Sequence, residues 1–405
     1  MEFTGELVSD WPIFDSEEIG ALQKVLEAGE WGHSSNTGGY VGNFEPRFER
    51  DFADLHTSVY GLCVANGTVA IQLALEAVDI GVGDDVIVPG LTWQATAGAV
   101  LDVNAVPILV DVEPDTYCLD PDAVEAAITP RTKAVIAVHL YNSLADLDRL
   151  TELCRRHDLS LIEDCAHSHG STWRNEGVGS VGDVGCFSFQ SSKSLTSGEG
   201  GFCLTNREDL FLRLDALRNC GRVPRLANSS WQPIQSGNYR MTEFQAAVLS
   251  TQLGRFPEQL ARREANARRL DDAIETIEGL LPMVRRPQVT RQGMYAYAFR
   301  FDQARFGPLS VDEFRGALAA ALGIRISATY EPLNHSPFYQ PQTKRRHRLE
   351  GQWEAINPGR FEMPVAERAF REESVVIPHE VLLSDWEGLS RIPEAALKLQ
   401  SEARN

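Results

Sequence analysis

The stretch Gly185-Cys186-Phe187-Ser188-Phe189-Gln190-Ser191-Ser192-Lys193-Ser194-Leu195 decides the reading of this chain. Val184 to Gln190 is a short apolar run and predicts a buried strand. That strand delivers Lys193 into a loop of small residues, Ser197-Gly198-Glu199-Gly200-Gly201. One crossover upstream, Leu161-Ile162-Glu163-Asp164 carries a carboxylate to the end of another apolar strand. A lysine and an aspartate are thereby expected at neighbouring strand ends.

Outward from this pair, short apolar runs alternate with helix-like spacers from Tyr60 to Asn206. The expected strands are Leu62–Ala65, Asp85–Val88, Val106–Val112, Ala134–Leu140, Ser160–Asp164, Gly185–Phe189 and Phe202–Thr205. Val69–Val78 and Leu144–His157 have lengths suited to crossover helices. The pattern predicts an α/β fold with a mostly parallel seven-stranded sheet between helix layers, its last two strands antiparallel. Residues 242 to about 278 form a long helical pattern in which Pro257 predicts a kink or a break. This segment is read as the bridge between a large domain, residues 1–262, and a small α+β domain, residues 263–405. In the latter, Ala296–Phe301 and Arg325–Ala328 are expected as strands and Val311–Leu322 as a helix.

Composition bounds the function. The 405 residues are 43% hydrophobic and 23% charged, as in an ordinary globular protein. A net charge of −19 argues against nucleic-acid binding and against anionic membranes. Met1 to Asp15 lacks a basic start and an apolar core, and Val86 to Leu101 is broken by Pro89, so a cytoplasmic protein is expected. The seven cysteines are scattered without a C-x-x-C pair, which predicts neither a disulfide framework nor a zinc site.

Lysine and aspartate at neighbouring strand ends are what pyridoxal 5'-phosphate requires: an amine for its aldehyde and an anion for its ring nitrogen. Val64-Ala65-Asn66-Gly67-Thr68-Val69-Ala70-Ile71 closes a strand and opens a helix, offering amides and the Thr68 hydroxyl to a phosphate. A plain helix cap is the alternative, and Lys193 downstream tips the choice. Gly177-Val178-Gly179-Ser180-Val181-Gly182 matches a dinucleotide spacing but precedes a strand, so it is read as a turn. Trp93 follows a strand end and could stack on a pyridine ring. His167 is assigned to the cofactor's phenolic oxygen and His169 to structure; no third residue at useful spacing suggests a metal. Lys344-Arg345-Arg346-His347-Arg348 is a solvated loop by default, or a contact for a substrate phosphate.

Taken together, these residues resemble the DegT/StrS-type aminotransferases, from Trp11-Pro12 to about Pro378. The resemblance implies the aspartate-aminotransferase (type I) fold and pyridoxal phosphate, with pyridoxamine phosphate as its intermediate form. The family's aspartate, the Gln or His three residues on, its serine and the lysine five further correspond to Asp164, His167, Ser188 and Lys193. Its phosphate turn corresponds to Gly67-Thr68 and its aromatic stacker to Trp93. Gly237-Asn238-Tyr239-Arg240-Met241 looks like the segment whose asparagine reaches the partner subunit's site, which implies a homodimer with shared sites. Glu163-Asp164-Cys165-Ala166-His167-Ser168-His169-Gly170, Leu195-Thr196-Ser197-Gly198-Glu199-Gly200-Gly201 and Tyr330-Glu331-Pro332-Leu333-Asn334 are similar to the branch that uses L-glutamine with scyllo-inosose or 2-deoxy-scyllo-inosose, with aminohydroxybenzoate synthases close by. Ser191-Ser192 and Tyr141-Asn142-Ser143 depart from that branch.

The resemblance implies a small-molecule amino donor and a ketone acceptor. Arg240 and Arg222 are candidates for the donor carboxylate, and each fits equally a surface arginine. Tyr330, Asn334, His335 and the loop His33–Asn43 are candidates for a polyhydroxy ketone. A nucleotide-linked keto-sugar is the alternative acceptor. The rivals are a dehydratase of the same fold, which carries histidine where Lys193 stands, and a non-catalytic sensor.

Overall fold

The structure, a computed structural model, describes residues 7, 10–32, 43–224, 226–228, 230–347 and 352–404. The expected loop His33–Asn43 lies outside the described residues except for Asn43, and so does Arg348. Two helices, Ser16–Ala28 (α1) and Phe44–Leu55 (α2), precede an alternating core. It runs Tyr60–Val64 (β1), Gly67–Ala77 (α3), Asp85–Pro89 (β2), Ala95–Asp102 (α4), Val106–Val110 (β3), Pro121–Ala127 (α5), Thr132–Val138 (β4), Leu147–His157 (α6) and Ser160–Asp164 (β5). A hairpin of Thr172–Trp173 (β6) and Glu176–Gly177 (β7) follows, then Val184–Ser188 (β8), Gly201–Thr205 (β9) and Glu208–Arg218 (α7).

The sheet has seven strands in the order β1-β9-β8-β5-β4-β2-β3. β9 runs antiparallel to both β8 and β1, while the pairs among β8, β5, β4, β2 and β3 are parallel. Every residue of β2 and β9 is buried, as expected of strands covered by helices on both faces. The carboxyl ends of β1, β2, β4, β5 and β8 therefore share one edge, where α/β sheets present ligands.

Glu243–Glu275 (α8) begins at a Thr242/Gln245 capping box and extends 33 residues, unbroken through Pro257. Of the kink or break expected at Pro257, the break is absent. Phe256 and Leu260 on either side of the proline are buried, so packing holds the helix across the missing N–H. Leu260 belongs to the aromatic core around Phe187 and Phe189, whereas Ala267, Leu270 and Ile274 enter a second core with Phe299, Phe301 and Phe314.

That second core packs on Leu280–Pro282 (β10), Ala296–Phe301 (β12) and Ser374–Pro378 (β13), an antiparallel sheet in the order β10-β12-β13. Val289–Arg291 (β11) instead extends the β6–β7 hairpin. Val311–Leu322 is a helix, as expected. Arg325–Ala328 is not a strand: only Ser327 finds a ladder partner, Val376, and the Arg325 and Ser327 side chains are exposed. Among the described residues no helix is long and apolar enough to cross a membrane.

Behind β1, Arg218 is fully buried and meets Glu45, Glu49 and Asp215. Burial pushes the Glu45 carboxyl up to about 8 against the pull of Arg218.

Candidate active site

Five strand ends and two tyrosines from beyond α8, Tyr295 and Tyr330, enclose a cavity of about 670 Å3, within the ~300–1,000 Å3 range of small-molecule sites. Asn66, Gly67, Thr68, Trp93, Asp164, His167, Ser188, Lys193, Tyr295 and Tyr330 all line it.

Lys193 stands on a turn closed by its own N–H donating to Gln190 O at 2.8 Å. Trp11 Nε1 donates to the Lys193 carbonyl at 3.1 Å, and His379 Nε2 donates to Ser192 O at 3.0 Å. The amine at the tip lies 4.3 Å from the Tyr295 ring centroid. Burial pushes its pKa down to about 8 against the pull of Asp164, so a neutral amine is accessible near physiological pH.

Asp164 ends β5 with its side chain buried. Its Oδ2 accepts from the Thr96 hydroxyl at 2.9 Å and its Oδ1 from the Ala166 N–H at 3.2 Å. Burial raises its pKa despite these donors. A desolvated carboxylate with two donors and, among the described residues, no cation within ion-pair distance fits a protonated ring nitrogen.

At the other end, Asn66 Oδ1 caps α3 by accepting from Val69 N–H at 3.0 Å. A Cβ on Gly67 would meet Ser188 Cβ at 2.7 Å, so only glycine lets the helix start lie against the β8 end. Thr68 is exposed at this point and Ser188 half-buried, giving amides and two hydroxyls around one space. A phosphate fits this cradle. Trp93, 47% exposed, forms the rim, with its ring 5.8 Å from Tyr330 and 5.9 Å from Phe338.

His167 is stacked between Tyr295, at 4.0 Å, and Tyr141, at 5.5 Å. Its Nδ1 accepts from the Tyr141 N–H, so the proton resides on Nε2, 3.3 Å from the Tyr330 hydroxyl. Burial, with Lys193 nearby, keeps this imidazole neutral. His169 is buried, with Nε2 donating to Ser188 O at 2.9 Å. Behind Asp164, Glu163 accepts from the N–H groups of Gly179, Val181 and Gly182 and from His139 Nε2 at 3.1 Å. The glycine motif is thus a turn, and it encloses an internal carboxylate.

Other candidates lie outside this cavity. Asn238 is exposed, its Oδ1 accepting from the Arg240 N–H at 3.4 Å. The Arg240 guanidinium donates to Asn219 Oδ1, and Arg222 is exposed. Asn334 Nδ2 donates to Phe361 O and Glu367 Oε1, and His335 Nε2 to the same Glu367 oxygen. Lys344 and Arg346 both pair with Asp102. The sequence reading missed Thr96 and Tyr295. Thr92 and Thr96, one helical turn apart with hydroxyls 3.0 Å from each other, were the available signal for the first.

Comparison with known proteins agrees with this geometry. The chain is 43% identical over 401 residues to an L-glutamine:2-deoxy-scyllo-inosose aminotransferase of Streptoalloteichus tenebrarius, covering 96% of this chain and 94% of the relative. It is 40% identical over 405 residues to an L-glutamine:scyllo-inosose aminotransferase of Streptomyces griseus, covering 97% and 94%. The crystal structure of a 3-amino-5-hydroxybenzoic acid synthase superposes with a TM-score of 0.82 at 31% identity, covering 98% of this chain and 99% of the other. Members of such aminotransferase families carry pyridoxal phosphate, and the residues around Lys193 fit it. Residues 12–377 match the DegT/DnrJ/EryC1/StrS aminotransferase family, and the chain belongs to that family and is an aminotransferase.

Proposed function

We propose that this enzyme moves an amino group from L-glutamine to a keto-cyclitol of the scyllo-inosose or 2-deoxy-scyllo-inosose class, as in aminoglycoside-type antibiotic biosynthesis. The observation that carries the reading is Lys193 and Asp164 lining one cavity with a helix-start cradle opposite. The near full-length likeness to inosose aminotransferases supports the substrate class.

Bound pyridoxal phosphate supplies an aldehyde that exchanges amines and a ring that accepts an electron pair. Lys193 would hold that aldehyde, and as a neutral amine its Nζ would take the proton from the donor's α-carbon. Asp164 would keep the ring nitrogen protonated, and His167 Nε2–H would be the donor for the phenolic oxygen. Gly67, Thr68 and Ser188 would hold the phosphate, Asn238 of a second copy would complete the cradle, and Trp93 would cover the ring. Tyr330 stands at the acceptor side. The protein then works as a homodimer, with C2 symmetry the default, in the cytoplasm. The division near residue 262 belongs with this reading, since α8 passes there from one core to the other.

A nucleotide-linked acceptor is less favoured, because Lys344 and Arg346 are engaged by Asp102. The test is a pair of half-reactions. L-Glutamine should convert the bound cofactor to its amino form. That form should then react with scyllo-inosose or 2-deoxy-scyllo-inosose faster than with a nucleotide 4-keto-sugar; the reverse order refutes the acceptor assignment. Light scattering that shows a fully active monomer refutes the shared site.

A further inference from the structure

A second cavity, about 510 Å3, adjoins the first, and Ser192, Tyr295 and Tyr330 line both. Its remaining wall carries one cation and one anion, Arg325 and Glu380, alongside Trp11, Ser327 and His379. Arg325 makes no hydrogen bond or ion pair with any described residue. Glu380 Oε2 lies 3.8 Å from His379 Nε2, but that nitrogen already donates to Ser192 O, and burial keeps the ring neutral. The wall therefore offers a guanidinium with no hydrogen-bond partner among the described residues and a carboxylate that accepts from its own backbone N–H and feels the charges of Arg325 and Arg263, next to the tyrosine over which the Lys193 amine sits.

A ligand matching this wall has a carboxylate for the guanidinium and an N–H donor for the carboxylate. L-Glutamine has both, separated by the α-carbon and two methylenes. Guanidinium and carboxylate make strong, directional charge-assisted pairs. A carboxylate facing the side chain accepts from an amide NH2 and repels a second carboxylate, which is how a site rejects a near-isostere.

We infer that this second cavity is the amino-donor subsite, in which Arg325 takes the α-carboxylate and Glu380 selects the side-chain amide of glutamine over the carboxylate of glutamate. The inference rests on the donor named under the proposed function and deepens it. It also replaces Arg240 and Arg222, whose side chains line neither cavity. The shared wall lets the donor's α-carbon approach Lys193 while its carboxylate stays beside Arg325.

The test follows the first half-reaction of the cofactor-loaded enzyme by absorbance. Arg325→Gln should raise the half-saturating concentration of L-glutamine by about 20-fold or more, with Arg325→Lys recovering part of it and cofactor affinity unchanged. Glu380→Gln should leave L-glutamine within about threefold but raise the relative rate with L-glutamate by about tenfold. Calorimetric titration with α-methyl-L-glutamine, which has no α-proton to lose, should show the same weakening in Arg325→Gln. Half-saturation within twofold of wild type in Arg325→Gln, or an unchanged glutamine-to-glutamate ratio in Glu380→Gln, overturns the subsite. Wild type that ignores L-glutamine refutes the donor assignment itself. Wild type that responds while both variants behave like it refutes the subsite alone.

Discussion

The hydroxyl of Thr96, in the first turn of α4, donates to Asp164 Oδ2 at 2.9 Å, so a helix start on one strand end orients the carboxylate of another. Among the described residues the Asp164 carboxylate has one further donor, the Ala166 N–H. Thr96→Val keeps the side-chain shape and removes one of the two. A hydrogen bond to a charged group is worth about 1.5–3 kcal/mol, so the first half-reaction should slow by about tenfold or more while the fold is retained. Stopped-flow absorbance measures it, and an unchanged rate would mean that Thr96 does not support the carboxylate.

Lys193 must be neutral to capture an aldehyde. With its pKa pushed down to about 8, the ammonium dominates below that pH and the free amine above it. Uptake of pyridoxal phosphate by the cofactor-free protein should accelerate as pH rises, with a midpoint near 8 instead of the ordinary lysine value. Lys193→Ala should lower turnover by about 10²–10⁴-fold or more. Retained turnover would show that another base operates.

Gly67 lies against Ser188, and a methyl there would stand 2.7 Å from the serine Cβ. Gly67→Ala must move either the start of α3 or the end of β8, both of which form the phosphate cradle. Cofactor affinity, measured by equilibrium dialysis, should fall about tenfold or more, the size of one charge-assisted hydrogen bond.

Arg218 holds Glu45 and Glu49 in a fully enclosed setting. Arg218→Leu fills space but leaves two buried carboxyls without their cation. Above about pH 8, where Glu45 ionises, stripping the cation from this buried cluster costs about 3–5 kcal/mol, which should appear as a lower midpoint in urea. An unchanged midpoint would show that the carboxyls are neutral in the native protein.

Much of this molecule was legible in the residues. Ser160–Asp164, Ala296–Phe301 and Val311–Leu322 form the elements expected, because each is a run whose burial period and end signals agree. The lysine, aspartate and glycine turn were legible for a related reason: each sits at a strand end, and strand ends of a parallel sheet converge. What escaped comes from elsewhere. Tyr295 and Arg325 reach the cavities from beyond α8, over a hundred residues past Lys193, with no local spacing to mark them. Asn334 and His335 were drawn to a neighbouring carboxylate, Glu367, that the linear order does not place beside them. Pro257 does not break α8, because tertiary packing, not propensity, decides whether a long helix survives one missing hydrogen bond.

The Gly177–Gly182 turn around Glu163 has a wider consequence. Spacing of this kind bends a backbone until consecutive amides converge on a negative charge, and it is indifferent to whose charge that is. Here the anion is tethered to the strand next door, so no diffusing ligand need ever arrive. A glycine signature found by pattern alone reports a concavity lined with N–H groups, and only its tenant tells a nucleotide pocket from a rivet in the scaffold.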